Sequence, residues 1–505
     1  MRDGEHLKTK CYQLVISRLD GDKILSQAYR AAIIRLAEKG IGGFILFGGE
    51  RERIREFINT VQSVSKTPLF IASDIERGVG QQVAHTTTFP CQMAVAAATA
   101  LKVPESVMAV EEMVRALAAE ARDVGINMPL IPVMDVNQAP DNPIICTRAF
   151  SDDPEVVGWL GSLYIRTLER EGLISCAKHF PGHGDTETDS HLSLPVIRKP
   201  MRELLRTDLL PFVKAIEEDV GSIMVGHLLI PALDDAPATV SRKVMTKLLR
   251  EELRYKGLVL TDALNMGALG GITDLFPSCV AAGADILLHP SDPKEAAEAL
   301  AGAVRSGRLA EERIDDALTR IANAKKRLTL TERPRADYGK NQLCSEKITE
   351  RSLTLVKHGG RLLPLSRSDK VTLVIAGDEA VAETCVLPRL LPGITGTTLL
   401  SPKERGAVIS PVPAEGIVLI AIFTAVSAWK GRSGISREEK ERVQEIVRRA
   451  RRSIVASFGS PYVLEHFPDA DAAIAVYDTS EQAQSALEKG LYGTTAFTGK
   501  IPVRI

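Results

Sequence analysis

Over its first 330 residues the chain alternates short apolar runs with amphipathic segments, and polar residues follow directly on the runs. The runs cover residues 14–19, 43–47, 69–73, 126–136, 174–180, 222–228, 258–261 and 284–288. Between them, residues 24–39, 50–65, 154–171, 202–218 and 242–254 carry helical periodicity. Continuous apolar runs of this length suit strands buried on both faces, and the intervening helices require parallel pairing. About eight such units over roughly 300 residues predict a (β/α)8 TIM-like barrel, with an open doubly wound sheet as the competing arrangement. Asp74, Asp135, Lys178 with His179, His227, Asp262 and His289 stand at the ends of different runs. In a barrel those ends converge on one mouth, so residues far apart in sequence can meet there. Taken singly, each could instead cap a helix or fix a turn.

A chain of 505 residues is long for one core, and two domains are expected. A polar, proline-containing stretch at residues 332–341 reads as a linker. The expected division is a barrel over residues 1–330, a linker over 331–345 and a smaller α/β sandwich domain over 346–505. Strands are predicted there at 372–376, 417–423, 453–457 and 472–476, with a helix at 438–450. A formal net charge of −1 excludes a broad basic surface for nucleic acid or anionic lipid, and the run Arg-Arg-Ala-Arg-Arg at 448–452 reads as a solvated helix face. No stretch approaches the roughly 20 apolar residues of a membrane helix. The N-terminus lacks an apolar segment of signal-peptide length, and the seven cysteines form no Cys-x-x-Cys pair. A cytoplasmic protein with reduced thiols is expected.

The chemistry concentrates in residues 178–191, Lys-His-Phe-Pro-Gly-His-Gly-Asp-Thr-Glu-Thr-Asp-Ser-His, which hold three of the nine histidines. Asp189 stands two residues before His191. A carboxylate beside an imidazole holds it in one tautomer and favours its protonated form, leaving the other nitrogen to give or take a proton. The pair is a candidate general acid/base unit. Histidines 179, 183 and 191 could instead hold zinc, but their spacing matches none of the common metal signatures. Gly182 and Gly184 predict a loop able to move. Asp262 ends an apolar run as a lone carboxylate, suited to act as a nucleophile or base and equally suited to cap a helix.

The same residues resemble family 3 glycoside hydrolases, in their β-N-acetylglucosaminidase branch. The long motif at 178–191, followed by Leu194-Pro195, is the most specific part of the likeness. Asp74-Ile75-Glu76 resembles the family's Asp-x-Glu element. Asn142-Pro143 with Arg148-Ala149-Phe150, and Met224 to His227 with Pro237 to Ser241, resemble two more. Residues 259–262 resemble its nucleophile strand, and residues 352–357 and 499–503 extend the likeness through the C-terminal half. One departure stands out: Val79 occupies the position where the family often has arginine.

The resemblance implies that Asp262 is the nucleophile and His191, paired with Asp189, the acid/base. It places Asp74, Arg148, Lys178, His179 and His227 on the sugar. It implies a retaining, exo-acting β-N-acetylglucosaminidase, with no metal or organic cofactor, that releases terminal GlcNAc from peptidoglycan-derived muropeptides or chito-oligosaccharides. Phosphorolysis, a β-glucosidase or β-xylosidase of the same family, and an inactive sugar-binding protein are the other readings. The expected partner is a small carbohydrate, with no nucleic acid and no membrane, on a monomer or homodimer.

Overall fold

The computed structural model describes residues 2–101, 103–186, 188, 193–328, 335–359, 362–400, 416–426 and 430–505. Two compact units emerge. The first comprises residues 1–89, 111–136 and 154–342; the second comprises 90–110, 137–153 and 343–505.

Among the described residues the first unit contains eight short parallel strands: β1 (Val15–Asp20), β2 (Gly43–Phe47), β3 (Phe70–Ser73), β4 (Met128–Pro129), β5 (Cys176–Phe180), β6 (Ser222–Val225), β7 (Leu258–Thr261) and β8 (Leu287–Leu288). One sheet has the order β4-β3-β2-β1-β8 and another β5-β6-β7. Parallel bridges Val133↔Lys178 and Leu260↔Ile286 join their edges, so the strands close in sequence order into a (β/α)8 barrel. Closure leaves no free edge. The expected run at 126–136 yields only a two-residue strand because Pro129 and Pro132 have no N–H to donate. Its partner β5 is held through that stretch by other groups, among them Cys176 N to Ile131 O at 2.8 Å and Met134 N to Lys178 O at 2.6 Å.

Barrel strands are buried along their length, as their apolar runs require: β3, β5, β6 and β7 contain no exposed residue. The helix Gln27–Glu38 starts later than the periodicity predicts, because Ser26 caps it by accepting from Tyr29 N at 3.4 Å. The segment expected as one helix at 202–218 is broken into Met201–Arg206 and Leu210–Glu217 around Thr207, Asp208 and Leu209. Within the stretch read as a linker, Ala336 N donates to Asp123 Oδ2 at 3.0 Å and a helix, Tyr338–Ser352, has already begun. Asn341 Nδ2 on that helix donates to Glu120 Oε1 at 2.9 Å.

The second unit is built on a six-stranded sheet of β9 (Thr354–His358), β10 (Val371–Gly377), β11 (Ile394–Leu399), β12 (Ile417–Phe423), β13 (Ser453–Phe458) and β14 (Ala472–Ala475), in the order β11-β10-β12-β13-β14-β9. All pairs are parallel except β14 with β9. The two-residue period sends Leu419, Ala421 and Phe423 to one apolar cluster and Val418, Ile420 and Ile422 to the other. The sheet is therefore the middle layer of an α/β sandwich. Met93, Ala94, Ala97 and Cys146, from residues 90–110 and 137–153, belong to one of these clusters. The helix Arg437–Arg449 opens with a capping box between Ser436 and Glu439, and Arg448 and Arg449 at its end are exposed and pair with Glu445.

Among the described residues no disulfide joins any of the cysteines. No helix there is long and apolar enough to cross a membrane, and no three His, Cys, Asp or Glu side chains are grouped as metal ligands.

Candidate active site

The C-terminal ends of the barrel strands carry a connected set of charged side chains. β5 has a register shift against β6 between Ala177 and Phe180, and the two residues inside it, Lys178 and His179, both reach toward neighbouring strand ends. Lys178 is buried, with Nζ 2.7 Å from Asp74 Oδ1 and 2.7 Å from Glu76 Oε1. Asp74 and Glu76 lie two apart just past β3, Glu76 in the turn that follows, and both reach the same ammonium. Asp74 remains partly open, whereas Glu76 is enclosed.

His179 is held by Asp135, which follows the fourth strand region and is fully buried. The ring Nδ1 lies 2.7 Å from Asp135 Oδ2, and the amides of His179 and His183 donate to the same carboxylate. Burial pushes Asp135 up, but the charge and hydrogen bond of His179, with the histidines' other contributions, hold its carboxyl below the usual range. With Asp135 accepting from Nδ1, the His179 ring is fixed in orientation and tautomer.

Asp262 follows β7, its amide donating to Val225 O at 3.0 Å. Its Oδ1 accepts from Ala263 N at 2.7 Å. The next helical turn, Gly267–Leu269, begins only after several residues, so Asp262 does not cap a helix. Burial pushes this carboxyl up; His227 foremost, then His179, the Ala263 amide and Lys178 outweigh it and bring it down to about 2. It is therefore ionised at neutral pH. His227 is fully buried, with Nδ1 2.7 Å from Thr239 Oγ1 and Nε2 3.1 Å from Ala263 O. Both ring nitrogens engage the protein, and the ring fixes the turn that presents Asp262.

Thus Asp74, Lys178, His179, His227 and Asp262 occupy one mouth. Arg148 lies in the second unit, where its Nη1 donates to Ile144 O at 2.7 Å. Asp189 and His191 lie outside the described residues. Glu76, Asp135 and His183 were not assigned to the site from sequence. In the sequence Asp135 stands at a strand end and Glu76 within Asp-x-Glu, but nothing local reveals which distant cation each faces. Val79 is fully buried in a short turn and faces the protein interior.

The loop glycines have a different use from the one their flexibility suggests. A Cβ at Gly184 would stand 1.7 Å from Val136 O, and Gly182 has φ +132 with Asp208 pressed against it. Both residues are glycine because the backbone passes close to other atoms there.

His183 is buried nearby, its ring edge-on to His179 with centroids 5.8 Å apart. Burial, then the charge of His179, push its imidazole down to about 4. An unfolded histidine titrates near ~6.5, so between these values the unfolded chain takes up a proton that the folded chain refuses. The contribution of neutral His183 to stability is complete above pH ~6.5 and declines as pH falls toward ~4. His289 and His466 shift in the same direction. Urea midpoints should fall between pH 7 and pH 4.5, and His183→Gln should make the fall shallower. A slope unchanged by the substitution would remove His183 from this account.

Residues 6–324 match the family model described as the glycosyl hydrolase family 3 N terminal domain. The chain is 29% identical to beta-hexosaminidase A of Pseudoalteromonas piscicida, over 92% of this chain and 89% of that one. It is 27% identical to the beta-N-acetylglucosaminidase/beta-glucosidase of Cellulomonas fimi, with 92% and 88% covered. Among solved structures, a family 3 beta-N-acetylglucosaminidase from Paenibacillus sp. str. FPU-7 superposes with a TM-score of 0.83 at 29% identity, covering 99% of this chain and 98% of that one. Beta-glucoside phosphorylase BglX bound to 2FGlc gives 0.87 at 25% identity, with 98% and 94% covered.

Proposed function

The chain belongs to glycosyl hydrolase family 3, and on that premise we propose that it is a retaining, exo-acting β-N-acetylglucosaminidase. The observation that carries this reading is Asp262: a carboxylate held down to about 2 at a barrel strand end, among Lys178, His179 and His227. Such a group stays anionic at neutral pH and is a good leaving group once esterified. Asp262 attacks the anomeric carbon while His191, protonated and paired with Asp189, gives its proton to the departing oxygen. Water then attacks the glycosyl ester with His191 as base, and the β configuration is kept. Asp74 accepts hydrogen bonds from sugar hydroxyls, oriented by Lys178, and His179 donates to another under the hold of Asp135. Arg148 adds a sugar contact, a role that rests on the sequence resemblance, as do those of Asp189 and His191.

The substrates we assign are peptidoglycan-derived muropeptides or chito-oligosaccharides with terminal GlcNAc. The names of the Pseudoalteromonas and Paenibacillus proteins favour GlcNAc over glucose. We place the enzyme in the cytoplasm, with catalysis in the barrel. Phosphorolysis is the second reading, favoured by the likeness to beta-glucoside phosphorylase. An imidazole base, unlike a carboxylate, does not repel an incoming phosphate.

One assay tests these readings together. With p-nitrophenyl glycosides, kcat/KM for GlcNAc should exceed that for glucose by on the order of 100-fold. NMR should show the β-anomer as first product. Preference for glucose would overturn the assignment, and formation of GlcNAc 1-phosphate in added phosphate would transfer it to phosphorolysis.

A further inference from the structure

A second set of enclosed charges brackets the loop that bears Asp189 and His191. Lys199 is buried, with Nζ 3.0 Å from Asp185 Oδ2 and 3.0 Å from Asp208 Oδ2. Asp208 lies in the break between Met201–Arg206 and Leu210–Glu217, is almost wholly enclosed, and accepts from Thr207 Oγ1 at 2.6 Å. Gly182 packs on it so closely that a Cβ there would stand 2.7 Å from Asp208 Cβ. Residue 182 on the outgoing limb and residue 199 on the returning limb therefore meet at Asp208, and residue 185 joins them through the Lys199 ammonium.

We propose that Lys199 is a positioning residue for the acid/base step. It ties Asp185 to Asp208 and so fixes both ends of the excursion between residues 185 and 199. This rests on the role given to His191 above. The reasoning is one of reach. Beyond Asp185 the chain must carry an imidazole to a glycosidic oxygen, and a displacement of ~1 Å at that point costs about 10²-fold in rate. Closing a loop at its base reduces the conformations its members sample. Asp208 balances the charge of buried Lys199 within the barrel wall. Asp185, about one-third exposed at its side chain, contributes attachment of the loop.

That asymmetry supplies the test. Asp185→Asn removes the loop's ionic tie and leaves the buried Lys199–Asp208 pair intact. In the full-length protein, kcat/KM for a GlcNAc glycoside with a poor leaving group should fall roughly 10- to 100-fold. A dinitrophenyl glycoside, which needs little protonation, should change less than about 3-fold. Asp185→Glu should restore part of the loss, Lys199→Met should reproduce the selective pattern, and the melting temperature of Asp185→Asn should match the parent's. A purely structural role would not move the leaving-group ratio. His191→Ala is the reference. If it discriminates between the two substrates and Asp185→Asn does not, the role of Lys199 is overturned while that of His191 stands. If His191→Ala itself fails to discriminate, the role of His191 falls and the positioning role falls with it.

Discussion

Asp262→Ala should lower turnover of p-nitrophenyl GlcNAc by roughly 10⁴-fold or more at every pH, without loss of folded structure. The carboxylate sits at the end of β7 in a partly open position, so its removal leaves no cavity in the core. What disappears is the carboxylate whose charge answers His227, His179 and Lys178. Because its pKa is held down to about 2, the acid limb of a kcat/KM profile should contain no inflection from Asp262 above pH ~3. Two measurements fix the role. A 5-fluoro-GlcNAc fluoride should form a glycosyl adduct on the Asp262 peptide of the parent protein and none on the variant. Azide should rescue the variant and give the α-glycosyl azide, since the small anion enters the vacated face. An adduct on another residue, or a rate loss below tenfold, would remove Asp262 from the chemistry.

The barrel was legible because its strands are buried on both sides. Runs such as 43–47 and 258–261 admit little other structure, and their boundaries agree with β2 and β7. The mouth was legible for a related reason: a polar residue directly after such a run must sit at a strand end. What the sequence left hidden is pairing across distance. Nothing near Lys178 indicates that Asp74 and Glu76, over a hundred residues earlier, hold its ammonium. The same holds for Asp135 beneath His179. Glycine misled in a particular way, since its freedom of rotation and its lack of a side chain leave the same letter; at Gly184 the second mattered. The strands β9 and β11 were missed. β11 is largely exposed, so its residues carry no apolar signal, and β9 is only half-buried.

Asp285→Ala should unfold the barrel more readily than any single change at the mouth. The residue precedes β8, at the end of the barrel opposite Asp262, and lies within the run 284–288 read from sequence as a strand, where no role was given to it. It is fully buried and shared by three guanidiniums: Arg250 Nη2 at 2.6 Å, Arg313 Nη2 at 2.9 Å and Arg320 Nε at 3.0 Å. Val259 N also donates to it, at 3.0 Å. Without the carboxylate, three largely enclosed cations face one another with no counter-charge, and a backbone N–H of β7 loses its acceptor. Breaking a buried pair from one side costs about 3–5 kcal/mol, which corresponds to a melting shift of roughly 5–8 °C for a unit of this size. Arg250→Met should cost less, because Asp285 keeps two partners. Well below the transition, kcat and KM of Asp285→Ala should stay within about twofold of the parent, since conserving stability and conducting chemistry fall to opposite ends of such a barrel. A barrel that melts with the parent would show that solvent, rather than this carboxylate, compensates the charge of the three arginines. A large loss of kcat at low temperature would mean that the two ends of the barrel are coupled.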